Sequence, residues 1–387
     1  MNARAFSILI IAVAATALSA SVALAQSAQV IVTPKAAYRI VYDNNVNNTK
    51  DGDIEHQLRP ALQVDVNTER SKNTVEAAVT MHRYNDLDQL DRTEQEYTFS
   101  SRNELTELLR FNLTGSYEDD YTISKIAEEL AETASKTARR RLTLSPRLEY
   151  VVTERNLVGL TYTYGSTDYD RAEYVDYDYQ NLSADWTYIW TERFRVRAST
   201  GASWYDNKYS DGDGAYSDLS FMVGFDYDIN EIWTWSVMSG LLQSKTTVDR
   251  PGLDVDKEGD GYVGSTRLTW DYPRSDGYIE YGRDNTIGLS GETLTRDRFH
   301  LKETYLLTER QRLKLDSVIT LSESDGTISE RDSAYYRIRP SYEYDLDENW
   351  TWEVGCSYEY VEDRVNSSNY DRSKAYMEIR WSLPEEL

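Results

Sequence analysis

Residues 182–190, LSADWTYIW, set Leu182, Ala184, Trp186, Tyr188 and Trp190 on one side of an extended chain and Ser183, Asp185 and Thr187 on the other. Period-two alternation predicts a strand with one apolar and one polar face. Past Thr191-Glu192-Arg193 the alternation resumes, with Phe194, Val196, Ala198, Ala202 and Trp204 against Arg195, Arg197, Ser199 and Ser203. Two such runs joined by a short polar turn predict a hairpin. The pattern recurs along the chain. Leu58, Pro60, Leu62, Val64 and Val66 oppose Arg59, Gln63 and Asp65, and Leu142, Leu144, Pro146, Leu148 and Tyr150 oppose Arg141, Thr143, Arg147 and Glu149. Near the end, Ala375, Met377, Ile379 and Trp381 oppose Lys374, Glu378 and Arg380. About 18 alternating segments fill the chain.

Their connections alternate in length. Short ones centre on Glu69, Glu104, Glu154, Glu192, Asn230, Ser275, Glu309 and Asp347, and between them lie longer stretches rich in Asp, Gly, Asn and Ser. Glu154, Glu192 and Asn230 are spaced by 38 residues, as are Glu309 and Asp347. One interval is thus two strands and one long loop. The fold class predicted is all-β: a closed antiparallel transmembrane β-barrel of about 18 strands, with short periplasmic turns and long acidic extracellular loops. Closure leaves no unpaired backbone facing lipid. A soluble sandwich or propeller fits less well, because Trp and Tyr flank the apolar stripes at both ends and the opposite face carries too much Arg and Glu for a packed core. Pro60, Pro146 and Pro340 fall on the outward face inside strands and predict bulges.

The N-terminus adds Arg4, an apolar run from Phe6 to Leu18 and Ala23-Leu24-Ala25. These predict a signal peptide over residues 1–25 and a barrel over 26–387. After it comes no run of 18 or more apolar residues, so no transmembrane helix is expected, whereas strands need only about 9–11 residues to cross. A formal net charge of -24 argues against nucleic acid as a partner. One cysteine, Cys356, excludes an internal disulfide, and His56, His82 and His300 share no ligand spacing. Catalytic motifs are missing, so neither an enzyme nor a cofactor is expected. The stretch 253–263 starts like a calcium loop, but Ser265 stands where the twelfth-position Glu is needed, and no metal is assigned. Acidic stretches at 167–178, 210–218 and 253–263 suit loops beside outer-membrane lipid and lipopolysaccharide.

Candidate chemistry therefore sits on the inward face. Arg59, Arg110, Arg141, Arg147, Arg195, Arg197, Arg267, Arg337 and Arg339, with Glu149 and Glu343, are the pore-lining candidates by phase. Two readings stand side by side: a charged lining that guides a polar or anionic solute, and cross-strand ion pairs that brace the wall and fill the lumen. The third outward loop, about residues 119–137, carries Ile123, Ile126, Ala127, Leu130 and Ala134 at helical spacing. A helix inserted into or capping the lumen is expected, with Ile123, Ile126 and Leu130 as its constriction residues.

Several phrases repeat: Thr-Glu-Arg turns, PALQV, PRLEY and PSYEY within strands, and DINEIWTW and DLDENWTW at Asp228 and Asp345. Together with the signal peptide and strand number, they resemble the β-barrel porins found with exopolysaccharide gene clusters, the Wzp-like barrels. That resemblance implies an outer-membrane exit for a polysaccharide chain, partnered with a periplasmic polysaccharide export protein that lacks its own membrane-spanning part. Inward Arg and Glu would exchange hydrogen bonds with sugar hydroxyls or uronates, and Tyr faces would stack on sugars. One departure is the tail Pro384-Glu385-Glu386-Leu387, where barrel-assembly signals commonly end on an aromatic residue. A general or nutrient-uptake porin and a filled structural barrel acting in adhesion remain as alternatives.

Overall fold

The structure, a computed structural model, describes residues 28–46, 51–132, 137–324, 326 and 328–386; the side chains of 122–124 are outside that description, as is the expected signal peptide. The strands are β1 (Gln29–Val46), β2 (Asp51–Asn67), β3 (Ser71–Tyr84), β4 (Arg92–Glu104), β5 (Leu109–Tyr121) and β6 (Ala138–Thr153). Then follow β7 (Asn156–Tyr169), β8 (Asp176–Ile189), β9 (Phe194–Tyr209), β10 (Gly212–Asp228), β11 (Trp233–Arg250) and β12 (Leu253–Tyr272). The last six are β13 (Ser275–Ile287), β14 (Thr293–Thr308), β15 (Gln311–Ser324), β16 (Asp332–Asp345), β17 (Trp350–Asp363) and β18 (Ser368–Ser382). Each pairs antiparallel with its chain neighbours, and β1 also pairs with β18, with Arg39 opposite both Gln57 and Glu378. The sheet is closed. Glu385–Glu386 continue past β18 onto Ile31 and Val32.

Alternation gives the ring two faces. Leu58, Leu148, Phe221, Ile279, Leu313, Ile338 and Met377 stand exposed on the outside, and Leu241 is 73% exposed. An apolar surface this continuous is stable only against acyl chains. Trp186, Trp190, Trp235, Tyr272 and Trp350 collect at the short-turn end and Tyr42, Trp204 and Tyr262 toward the other, as interfacial girdles require.

The short turns share one device. In Thr153-Glu154-Arg155, the Thr153 hydroxyl accepts hydrogen bonds from the backbone N–H of Arg155 (3.3 Å) and Asn156 (3.1 Å). Thr191 does the same for Arg193 and Phe194, and Thr106 for Leu108 and Leu109. Asn230 and Asp347 substitute a side-chain oxygen of the same reach, accepting from Trp233 (2.8 Å) and Trp350 (2.9 Å). Such side-chain-to-backbone bonds replace ladder partners that a reversal removes. The return strand begins one residue past the Arg at 155 and 310, so that Arg belongs to the turn.

Two expectations are corrected. The prolines cause no bulges: Leu58 opposes Met81 and Ala61 opposes Ala78, so the β2–β3 register is the same on both sides of Pro60. The same holds around Pro146 and Pro340. Each ring points to lipid and merely interrupts pairing on the side where its missing N–H would donate, while pairing continues on the other, with Pro60 opposite Ala36. Residues 210–218 and 253–263, read as loops, run largely as strand in the β9–β10 and β11–β12 hairpins, with Lys245 opposite Glu258. Cross-strand pairing overrides the low strand propensity of Asp and Gly there.

Candidate functional site

The connection between β5 and β6 carries a helix, α1 (Thr122–Leu130). It ends at Ala131, whose φ of 57° is left-handed and whose N–H returns to the Ala127 carbonyl at 2.9 Å. Ile126, fully buried, and Leu130 pack with Tyr169, Leu289 and Leu294. Ala127 and Ala131 pack with Tyr335 and Val361. The helix therefore presses one face on β7, β14 and the β13–β14 loop and another on β16 and β17. The side chain of Ile123 and all of Ala134 lie outside the described residues.

Polar contacts fix the same placement. Arg141 on β6 grips Glu129 with both terminal nitrogens, at 2.8 and 3.2 Å, and Arg139 adds a third bond at 3.1 Å. Glu128 accepts from Arg298 on β14 (3.1 Å) and from Arg337 on β16. A helix leaves its last carbonyls without intrahelical donors. Here the wall supplies them: Thr320 donates to the Glu128 carbonyl at 2.9 Å and Arg296 to the Glu129 carbonyl at 2.8 Å. Strands β6 and β16 stand nearly half the ring apart, so neighbouring residues can reach both only if α1 crosses the lumen. Since Tyr169, Leu294 and Tyr335 lie at the ends of their strands remote from the short turns, the crossing is at the long-loop mouth.

Nearer the short-turn end the wall is laced with charge. Arg147 reaches from β6 over β7 to Asp185 on β8 (2.6 and 3.1 Å) and also holds Glu149 at 3.1 Å. Gly159 makes this span possible, because a Cβ there would lie 2.6 Å from the Asp185 carboxylate and closer still to Arg147. Arg195 pairs with Asp228 (3.2 Å) and Arg197 with Asp226 (3.3 Å); Arg59 pairs with Glu76 and Glu96, both at 3.2 Å. Arg267 meets Glu280 at 3.0 Å, while Arg339 (to Asp316, 3.7 Å) and Arg110 (to Glu104, 3.9 Å) are looser. Glu343 is a hub for Arg312 (2.5 Å), Lys314 (2.6 Å) and Arg380. Arg337 joins Asp316 as well as α1. The candidate charges thus line one lumen wall and are cross-strand braces at once, each worth about 0–1 kcal/mol where water reaches it.

Phase alone did not mark Glu128 and Glu129, which lie on the polar edge between the apolar stripes of α1, although their position beside the stripe was a usable signal. It also gave no hint of Glu132. That side chain, just past α1, is 3% exposed and faces Glu292, 1% exposed, in the β13–β14 loop. Oxygens of both approach the point where a Cβ on Gly288 would sit, Glu292 Oε2 at 2.7 Å and Glu132 Oε1 at 2.8 Å. Arg331 compensates Glu292 at 2.9 Å, and Glu132 has no well-formed hydrogen bond among the described residues. Burial first, and the Glu292 charge second, push the Glu132 carboxyl up to about 8.

Space remains on either side of α1. One cavity of about 530 Å³ is bounded by Tyr179, Tyr205, Asp218, Glu280, Arg298 and His300. Another of about 210 Å³ is bounded by Arg39, Lys125, Arg339, Glu359, Lys374 and Tyr376. Among the described residues no group of three His, Cys, Asp or Glu side chains is placed to hold a metal.

A closed ring of 18 crossing strands with an apolar exterior defines an outer-membrane β-barrel, and this chain is one. Solved structures of similar form include OccAB4 of Acinetobacter baumannii (9% identity, 93% of this chain and 99% of that one, TM-score 0.47). The ferric citrate transporter FecA is another (9% identity, 91% and 78%, TM-score 0.49). A third is the copper transporter OprC (10% identity, 86% and 62%, TM-score 0.48), of which this chain spans less than two thirds. At this distance the likeness says nothing about cargo. No family model and no curated protein matches the chain.

Proposed function

We propose that the barrel is a channel passing a polysaccharide chain from the periplasm to the cell surface, in partnership with a periplasmic polysaccharide export protein, and that α1 closes its outer mouth at rest. The observation that carries this reading is the way α1 is held. Among the described residues its anchors to the wall are side-chain ion pairs, two hydrogen bonds to its last carbonyls and apolar side-chain packing, with no strand ladder among them, so the helix can leave its seat while the barrel stays intact. The lumen below it alternates donors and acceptors, which exchange hydrogen bonds with sugar hydroxyls step by step. The repeated strand and turn phrases that resemble exopolysaccharide-associated porins support the same direction of transport.

A second reading, uptake of a small solute, is favoured by the cavity of about 530 Å³ beside α1, within the size range of small-molecule sites. Planar-bilayer recordings separate the two. The full-length barrel is expected to show low, flickering conductance, and a variant lacking residues 122–136 a large steady one. A deletion variant that conducts no ions overturns both transport readings. In the parent cell, removal of the protein is expected to abolish surface polysaccharide; loss of small-sugar uptake with polysaccharide intact would establish the second reading instead.

A further inference from the structure

Four tyrosines turn inward at one place on the wall: Tyr177 and Tyr179 on β8, Tyr205 on β9 and Tyr216 on β10. Their rings form a continuous patch. Tyr179 and Tyr205 are 4.8 Å apart at 34°, Tyr205 and Tyr216 5.6 Å apart, and Tyr177 and Tyr205 6.1 Å apart. Tyr216 is fully buried at the back and its hydroxyl is occupied, accepting from the Asn285 side-chain amide at 3.2 Å. Tyr177 is taken up by α1, packing beside Ile126 and Leu130. The remaining two are different. Tyr179 and Tyr205 are half-buried, bound the cavity of about 530 Å³, and their hydroxyls have no hydrogen-bond partner among the described residues.

Both hydroxyls open onto this cavity, where only water competes for them. Side by side, the two tyrosines present apolar ring surface together with donor and acceptor capacity that a ligand can use. The same cavity is lined by both signs of hydrogen-bonding group: the Asp218 and Glu280 carboxylates accept and the Arg298 guanidinium donates, Glu280 being also paired with Arg267 and Arg298 with Glu128. Arg298 keeps one buried N–H, at Nε, without a partner.

We propose that this cavity is a saccharide subsite that takes two or three pyranose units of a neutral, hydroxyl-rich chain. The C–H faces of the sugar rings lie on Tyr179 and Tyr205, and their hydroxyls donate to Asp218 and Glu280 and accept from Arg298. A pyranose combines an apolar C–H face with a rim of hydroxyls, which matches aromatic rings set among hydrogen-bonding side chains. A neutral chain is specified because a uronate at the Asp218 and Glu280 side would meet like charge. The inference deepens the channel reading and rests on it for its biological sense, but its test is separate.

Equilibrium titration of the detergent-solubilised full-length barrel with maltohexaose and with oligogalacturonate reads the site without requiring conduction. Maltohexaose is expected to bind, and oligogalacturonate at least several-fold more weakly. Tyr205→Ala and Tyr179→Ala are each expected to weaken maltohexaose by about tenfold, the scale of one lost aromatic face. Tyr205→Phe, which keeps the ring and drops the hydroxyl, is expected to fall between, and heat-modifiable gel mobility confirms that each variant is a folded barrel. Absence of maltohexaose binding, or binding that neither alanine variant changes, overturns the subsite. Preferred binding of oligogalacturonate overturns its neutral specificity. Bilayer conductance of the helix-deleted barrel decides the channel reading independently, whichever way the titration falls.

Discussion

Arg141 of the wall holds Glu129 of α1 in a two-pronged grip, 2.8 and 3.2 Å, from a strand that adjoins the helix in sequence but faces its other anchors across the lumen. Removing that grip leaves Arg139, fully shielded from solvent, with Asp120 as its one ion-pair partner among the described residues. Loss of a charged hydrogen-bonded partner costs about 1.5–3 kcal/mol. Glu129→Ala is therefore expected to loosen α1 without unfolding the barrel, raising mean single-channel current and exposing residues 122–132 to protease. Unchanged current and protease resistance would show that the apolar contacts alone seat the helix.

Acidity should tighten that seat. The Glu132 carboxyl is pushed above its ordinary value of 4.5, to about 8, by burial and by Glu292. The seated helix thus binds a proton that the released one gives up, so seating is strongest below about 4.5 and weakens as pH rises toward about 8. The charges in play are Glu292, Arg331 and Asp363, and Arg331 is already engaged with Glu292. Conductance is expected to rise between about pH 4.5 and about 8 in the full-length barrel and to level off above that. Glu132→Gln should abolish that rise and keep the channel quiet; a pH response that survives the substitution would place the titrating group elsewhere.

Turn chemistry gives a smaller, distributed effect. Thr153→Ala or Thr191→Ala removes two backbone caps at one periplasmic turn and is expected to destabilise the barrel by about 0.5–1.5 kcal/mol each. Thr153→Asn should restore most of it, because Asn230 already does the same work at another turn. Urea unfolding in lipid vesicles measures the difference.

The two faces of β10 can be told apart by one residue. Phe221→Arg puts a charge into lipid near mid-strand and is expected to cost about 2–4 kcal/mol. The adjacent Ser220→Arg places the same side chain in the lumen and should cost far less, while altering current through the cavity it borders. Equal costs would mean the phase is wrong.

Much of this was legible in the linear chain because strand phase repeats every two residues and a barrel only has two faces. The eight short turns and the inward set of arginines follow from that, and the amphipathic stripe of the third loop shows separately through its helical spacing. Other features depend on distances round the ring, which no local pattern carries. Nothing near residue 128 points to Arg337, and the Glu132–Glu292 juxtaposition joins segments far apart in sequence. The outward hairpins depart from their composition for a different reason: Asp- and Gly-rich sequence predicts loops, yet pairing continues through 253–263 because the backbone there finds ladder partners. The prolines depart in the opposite sense, since lipid-facing rings cost a single ladder position and not a change of register.

The helix sits in the first third of the chain, while Arg298, Arg337, Tyr335 and Val361, which seat it, all come from the last third. During biogenesis its docking surface does not exist until the final strands have been laid beside β1. The helix is therefore seated last, and a barrel arrested before closure would carry an undocked segment as a marker of its unfinished state.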